Sequence, residues 1–356
     1  MSIKIMSIIG ARPQFIKAAP VSHALSEVGI DEILVHTGQH HDKSMSDVFF
    51  DELGIPSPEY NLEIQGGSHG AMTGKMLEAV EEVLLKEKPD KVLVYGDTNS
   101  TLAGALAAVK LHIPVIHVEA GLRSFNRRMP EEINRIMTDH ISELLLCTSD
   151  VAINHLKAEG ISQGVYLVGD VMADINRSTR ESLGDVQELL DEYSLQKKKY
   201  ILMTWHRAEN TDDVDRLRSI ANAVNTMSEA IVLPLHPRTR KALEREEITL
   251  GEHINIVDPL SYRQMTALMT GARCVLTDSG GVQKEAYWCN VPCITMRDET
   301  EWTETVDVGW NCLVGAEDKA LLEAVRHFTP NTEHPVLYGD GYAAKRIAEL
   351  LKNKAE

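Results

Sequence analysis

Cys274-Val275-Leu276-Thr277-Asp278-Ser279-Gly280-Gly281-Val282-Gln283-Lys284-Glu285-Ala286 reads as a buried strand, a two-glycine turn and the start of a helix. Ser279 has the side chain of a helix N-cap, and Gly280 and Gly281 leave the first-turn N–H groups uncovered. Such a helix start favours an anion, because its free donors and its dipole both attract phosphate. Glu285 follows Gly281 by one turn and shares its helix face, within reach of a sugar hydroxyl pair. The functional reading is a nucleotide diphosphate with its ribose on Glu285. The competing reading is an ordinary capped helix, and this stretch alone leaves both open.

Outward from it, the same strand–helix alternation fills the chain. Apolar runs at 3–9, 32–36, 91–95, 114–118, 143–147 and 165–168 form one set of expected strands. Runs at 200–204, 230–235, 254–257, 273–277, 292–296 and 312–314 form a second. Helical periodicity between them covers 14–27, 71–86, 101–111, 131–142, 212–227 and 263–269. Alternation of this kind predicts parallel sheets with helices on both faces. We therefore expect an α/β protein of two doubly wound, Rossmann-like domains. The first spans 1–175, the second 176–340, and the helix 341–356 is expected to cross back to the first. The polar stretch Glu181–Tyr193 reads as a charged surface helix at the divide. Ligands in such sheets bind beyond the carboxyl ends of the strands, so two facing domains predict a cleft site.

The 356 residues carry a net charge of −17, and no cluster of Lys or Arg exceeds three, which argues against a nucleic-acid partner. Five cysteines, at 147, 274, 289, 293 and 312, form no CxxC and read as buried thiols of a reducing compartment. The sequence begins directly with a strand pattern, and no apolar run approaches membrane-spanning length. A soluble, cytoplasmic protein is the expectation. His40-His41-Asp42 lacks a second ligand pair and is rejected as a metal site. GxxxxGK[ST], a strand-following GxGxxG and GxSxG are all absent, which removes support for triphosphate hydrolysis, dinucleotide redox chemistry and α/β-hydrolase chemistry.

Candidate site residues gather at strand ends. Arg12 and Lys17 follow Gly10 and bring two cations to the mouth of the first domain. Asp97 and Glu119 end consecutive strands, where converging carboxylates would separate into an acid and a base. The competing role for Asp97 is a helix N-cap; Glu119 lies among apolar residues with no local partner. Glu131 and Glu132 open a helix, where they complement its dipole, and Glu131 and Arg135 have i,i+4 spacing. In the second domain His206 and Arg207 end one strand, His236 the next, and Arg297 a later one. His206 is a candidate proton carrier or diphosphate donor.

Together these motifs resemble the non-hydrolysing UDP-N-acetylglucosamine 2-epimerases, over essentially the whole chain. The match runs through Gly10-Ala11-Arg12-Pro13, Gly96-Asp97-Thr98, His117–Arg123, Pro130–Arg135, His206-Arg207, Asp278–Gly281 and Tyr338–Gly341. The resemblance implies a glycosyltransferase-B-like fold, a UDP-sugar substrate, no metal or redox cofactor, and a homodimer. It places catalytic carboxylates on Asp97, Glu119 and Glu131 and the cleft histidine on His206. Diphosphate contacts fall on Arg12, Ser279 and Gly280, the ribose glutamate is Glu285, and Lys17 is a further active-site position. Gly281, Arg135, Arg207, His236 and Arg297 complete the expected substrate-binding set. The implied reaction eliminates UDP to a 2-acetamidoglucal and adds it back with C2 inverted.

Departures from the common pattern point to a branch. Gln14 replaces a glutamate, Glu301-Trp302 replaces an arginine–proline loop end, and Arg127-Arg128 precede Glu131. These are similar to the enzymes that epimerise UDP-2,3-diacetamido-2,3-dideoxy-glucuronate, whose sugar carboxylate would suit a guanidinium. Two solvated loop arginines are the alternative. Gln39, Arg207 and His236 match parts of the family's activator site, but Asp42 and the Gly66-Gly67-Ser68 segment do not. Other readings are a UDP-sugar glycosyltransferase of the same fold, a hydrolysing epimerase, and a catalytically silent nucleotide-sugar sensor.

Overall fold

The computed structural model describes residues 3–39 and 57–354, with only the backbone of Arg12. His40, His41 and Asp42 therefore lie outside the described residues. The chain divides into two compact units, Met1–Ile175 with Tyr338–Glu356, and Asn176–Leu337.

The first unit is built on a seven-stranded sheet of order β3-β2-β1-β4-β5-β6-β7. Its strands are β1 (Lys4–Ile9), β2 (Asp31–His36), β3 (Tyr60–Asn61), β4 (Lys91–Tyr95), β5 (Val115–Ala120), β6 (Leu144–Cys147) and β7 (Val165–Leu167). All pairings are parallel, and the chain reverses its direction of growth between β1 and β4. Strands in such a sheet are covered on both faces, so they are apolar throughout. Along β1 the faces alternate. Ile5 and Ile9 enter a core with Phe15, Leu25, Ile347 and Leu351, while Met6 and Ile8 enter another with Val80, Leu84 and Ala105. Helix Ala343–Asn353 belongs to the first of these cores through Ala344, Ile347, Ala348 and Leu351.

The second unit has a six-stranded parallel sheet of order β10-β9-β8-β11-β12-β13. Its strands are β8 (Tyr200–Thr204), β9 (Ala230–Pro234), β10 (Ile254–Val257), β11 (Cys274–Thr277), β12 (Cys293–Thr295) and β13 (Asn311–Leu313). Growth reverses between β8 and β11, again with a two-faced core: Ile201 and Met203 on one side, Tyr200 and Leu202 on the other. The stretch read as one surface helix resolves into Val171–Ser182 and Gln187–Glu192. Gly184 breaks it with φ 68°, and Leu190 is fully buried.

Tyr60–Asn61 has no counterpart among the expected strands. Two residues on a sheet edge are too short for a periodic signal. Among the described residues, no helix is long and apolar enough to cross a membrane, and no group of three or more His, Cys, Asp or Glu could hold a metal ion. The five cysteines are free thiols; burial pushes Cys293 up to about 12.

Candidate active site

Both sheets carry their polar side chains where the strand order reverses, which is where open α/β sheets bind ligands. In the first unit Gln14 ties the two strands at that point together. Its Oε1 accepts from Gly10 N at 2.8 Å and Ala11 N at 3.0 Å, beyond β1. Its Nε2 donates to Tyr95 O at 2.8 Å, at the end of β4, and to Thr101 Oγ1 at 2.9 Å beyond it. An amide does both; a carboxylate could only accept. Gly10 has no room for a side chain, since a Cβ there would lie 2.1 Å from Ser100 Oγ and Thr37 Oγ1. The side chain of Arg12 lies outside the description.

Asp97 is not a helix cap. Thr98 takes that role for helix Asn99–Lys110, accepting from Thr101 N, which leaves the Asp97 carboxylate for other partners. Arg135 Nη1 donates to its Oδ2 at 2.5 Å. Burial, helped by Glu119 and Glu131, raises the Asp97 pKa above the ordinary aspartate value, and Arg135 and Lys17 only partly offset this.

Glu119 is 6% exposed and sits at a β-bulge, where the β5–β6 register shifts between Val118 and Ala120. Its φ is +70°, a left-handed conformation that costs a non-glycine residue on the order of 1–3 kcal/mol. The bulge re-aims the carboxylate toward Lys17, whose Nζ donates to Glu119 Oε2. Burial pulls the Lys17 pKa down, but Glu119, Asp97 and Asp170 outweigh it and hold it above the usual lysine value.

The spacing of Glu131 and Arg135 gives way to a different pairing. Arg135 Nη2 donates to Glu132 Oε2 at 2.8 Å, and the same guanidinium reaches Asp97. Glu132 is buried and also accepts from Ser124 N and Phe125 N, each at 2.9 Å. Glu131 is exposed on the same helix. Contacts thus join Lys17 to Glu119 and Arg135 to Asp97, and the two pairs act on each other electrostatically.

In the second unit the centre is Asp278, fully buried after β11 and given no role of its own by the sequence. It accepts from His206 N at 3.0 Å, Arg207 N at 2.9 Å and Asn210 Nδ2 at 3.3 Å, and so gathers the segment after β8. His206 Nδ1 lies 3.4 Å from Asp278 Oδ1. Burial lowers the imidazole pKa more than Asp278 raises it, with His236 and Arg207 adding to the fall. His236 faces His206 at 5.5 Å between ring centroids and caps helix Pro237–Arg245, its Nδ1 accepting from Arg238 N.

Ser279 occupies the N-cap position of helix Gly280–Trp288, yet its side chain makes no capping hydrogen bond. Its backbone N–H donates to Thr277 Oγ1 instead. The first-turn donors therefore stay uncovered by that side chain. A Cβ on Gly280 would lie 3.5 Å from Trp302 Nε1, 3.6 Å from Arg207 Nη2 and 3.7 Å from Glu301 Oε1; one on Gly281 would meet nothing within 4 Å. Glu285 is half-buried one turn along. The neighbouring Lys284 lies 3.6 Å over the Trp302 ring. Arg297 is buried and engaged by Glu301 at 2.8 Å, with Glu209 at 3.5 Å. Despite burial, Arg297 and Arg207 keep the Glu301 carboxyl below its ordinary range.

Two doubly wound parallel sheets with these residues at both reversal points define the glycosyltransferase-B-like class. A family model described as UDP-N-acetylglucosamine 2-epimerase matches residues 23–352. A UDP-2,3-diacetamido-2,3-dideoxy-D-glucuronate 2-epimerase from Pseudomonas aeruginosa is 53% identical over 359 residues, 98% of this chain and 99% of its own. The crystal structure of Methanocaldococcus jannaschii UDP-GlcNAc 2-epimerase in complex with UDP-GlcNAc and UDP aligns with TM-score 0.88 and 42% identity, over 99% of this chain and 100% of that one. The Neisseria meningitidis UDP-GlcNAc 2-epimerase bound to UDP-GlcNAc aligns with TM-score 0.88 and 30% identity, again over 99% and 100%. The chain belongs to the UDP-N-acetylglucosamine 2-epimerase family, whose members are isomerases.

Proposed function

We propose that this chain inverts C2 of a UDP-activated 2-acetamido sugar by elimination and re-addition. The meeting of Asp97, Glu119 and Lys17 at the first reversal point, with the Asp97 pKa raised, carries the reading. A carboxyl group whose pKa is raised by burial holds a proton more readily than a free one, which suits it to take a proton and return one. One carboxylate removes the C2 proton. The C1–O bond breaks, its electron pair leaves with UDP, and a C1–C2 double bond forms. On return a proton reaches C2 from the opposite face and the diphosphate oxygen closes on C1. Nothing is oxidised or reduced.

Asp97, Glu119 and Glu131 are the proton carriers in this scheme. The departing diphosphate is assigned to the N–H groups of Gly280 and Gly281 and to the Ser279 hydroxyl, with Arg207 and neutral His206 in support. Glu285 holds the ribose. Arg135 acts through Asp97, Arg297 through Glu301, and His236 beside His206. A cytoplasmic homodimer completes the reading, and light scattering reports its mass.

The substrate is UDP-N-acetylglucosamine or its 2,3-diacetamido glucuronate analogue. The named Pseudomonas relative favours the uronate. Each sugar is incubated with enzyme in deuterated water. Deuterium at C2 with appearance of the epimer is the expected result. Sugar transfer, or release of free sugar, in place of a deuterated UDP-sugar would refute the proposal, and turnover of the neutral sugar alone would refute the uronate.

A further inference from the structure

We propose that His117 is a positioning residue, which holds the Gly96–Asp97 turn against Glu119 by donating a hydrogen bond to the Gly96 carbonyl. The inference rests on Asp97 and Glu119 being proton carriers. His117 lies in β5 and is completely buried. Its Nε2 is 2.7 Å from Gly96 O and its Nδ1 is 2.7 Å from Asp139 Oδ1. A carbonyl only accepts. Asp139 also behaves as an acceptor: Arg123 Nη1 lies 2.7 Å from its Oδ2, and Gly121 N donates to the same oxygen at 3.1 Å. Against the cost of burial, His117 and Arg123 hold the Asp139 carboxyl below the usual range. Both ring nitrogens therefore donate.

The Gly96 contact does more than satisfy a buried ring. Gly96 has φ +60° and its N–H donates to Val118 O at 3.0 Å. Consecutive β5 residues, His117 and Val118, thus grip both polar groups of Gly96. The next residue along each chain segment is a proposed proton carrier, Asp97 after Gly96 and Glu119 after Val118. Glu119 sits at the bulge, outside the regular β5–β6 register. A Cβ on Gly96 would lie 3.3 Å from Glu119 Oε2 and 3.4 Å from Lys17 Nζ, so the turn packs directly on the ion pair. Holding Gly96 fixes the spacing of the two carboxylates. Misplacing a reacting group by about 1 Å costs on the order of 100-fold in rate.

Two substitutions separate the contacts. In His117→Asn the amide nitrogen overlays Nδ1 and can still reach Asp139 but not Gly96. In His117→Gln it overlays Nε2 and can reach Gly96. Both are assayed for kcat, KM and C2 exchange across pH on whichever of the two UDP-sugars the wild type turns over, with UDP affinity and thermal midpoint measured alongside. His117→Asn is expected to lose about 100-fold in kcat at unchanged UDP affinity, and His117→Gln to retain about tenfold more than that. Asp97 is faced by Glu119 from β5, Lys17 from helix Arg12–Glu27, and Arg135 and Glu131 from helix Pro130–Ile141. Once released to solvent, it should titrate nearer an ordinary aspartate, so the acid limb of kcat moves to lower pH in His117→Asn.

Equal losses in the two variants with an unmoved acid limb would make His117 a core residue and overturn the proposal, as would failure of both to fold. If only one folds, that one decides. Supporting results are a kcat loss with a shifted limb for Asn, or kcat within about tenfold of wild type for Gln. Asp97→Asn is run in parallel: retained C2 exchange there would sink the functional reading itself, independently of His117.

Discussion

Arg135 donates from Nη1 to Asp97 Oδ2 at 2.5 Å across 38 residues of sequence, and with the same guanidinium holds the buried Glu132. Asp97 keeps a raised pKa in spite of that cation. Arg135→Gln removes an influence that lowers the Asp97 pKa, so the pKa should rise further. If ionised Asp97 is the base, activity is lost as pH falls through that pKa, and the acid limb of kcat must move to higher pH. Breaking the buried pair with Glu132 should also cost about 3–5 kcal/mol of stability. A pH series on the exchange rate and a denaturation curve read the two effects. An acid limb that stays in place or moves down would contradict the electrostatic account.

Glu119→Gln keeps the shape of a side chain that the bulge and the +70° φ have aimed at Lys17. It removes the carboxylate that chiefly outweighs burial at Lys17, so the lysine pKa should fall. General acid–base groups contribute about 10²- to 10⁴-fold, and a loss of that order in C2 exchange is expected. The donors at Gly280 and Gly281 are untouched, so UDP affinity should persist. Exchange at the wild-type rate would remove Glu119 from the proton path.

Gly280→Ala tests the second unit. The glycine is the first residue of its helix, and an added Cβ meets only ordinary contacts at 3.5 Å and beyond. Helix propensity favours alanine by up to about 1 kcal/mol, so thermal stability should hold or rise. The methyl nevertheless projects among Arg207, Glu301 and Trp302, over the donors proposed for the diphosphate. Calorimetric titration with UDP should show affinity falling about tenfold or more, since displaced charge-assisted hydrogen bonds are worth about 1.5–3 kcal/mol. Undiminished UDP binding would move the anion site elsewhere.

Much of this was legible in the chain because sheet and helix periods are local. Among the described residues the apolar runs mark every strand except the edge pair Tyr60–Asn61, and strand ends mark the site. What escaped depends on residues far apart in sequence. Asp278 meets the His206 backbone across 72 residues, and His117 meets Asp139 across 22, so neither pair has a spacing to read. The competition for Arg135 is of the same kind: helical spacing favours Glu131, but a carboxylate on another strand end claims the guanidinium. A cap competed with the acid–base role for Asp97 because cap residues are chemically alike, and only the loop geometry hands the cap to Thr98. The apolar neighbours of Glu119 hinted at an unusual residue; the bulge that explains it is a property of strand pairing.

Gln14→Glu probes the link between the two strands at the first reversal point. Gln14 is 1% exposed and uses its amide in both directions, accepting from Gly10 and Ala11 and donating to Tyr95 O and Thr101 Oγ1. An ionised carboxylate keeps the first pair and sets a negative charge against the Tyr95 carbonyl. Leaving such a buried group unsatisfied costs about 1–3 kcal/mol. A protonated carboxyl can donate once, so burial and the facing carbonyl should raise the introduced group's pKa in the folded state. A raised folded pKa means the variant's stability is greatest below the unfolded value and is lost as pH rises through the folded one. The gap between wild type and Gln14→Glu in urea unfolding should therefore widen from acid to neutral pH. A gap that is constant with pH would show that the site accommodates the charge through contacts other than these four.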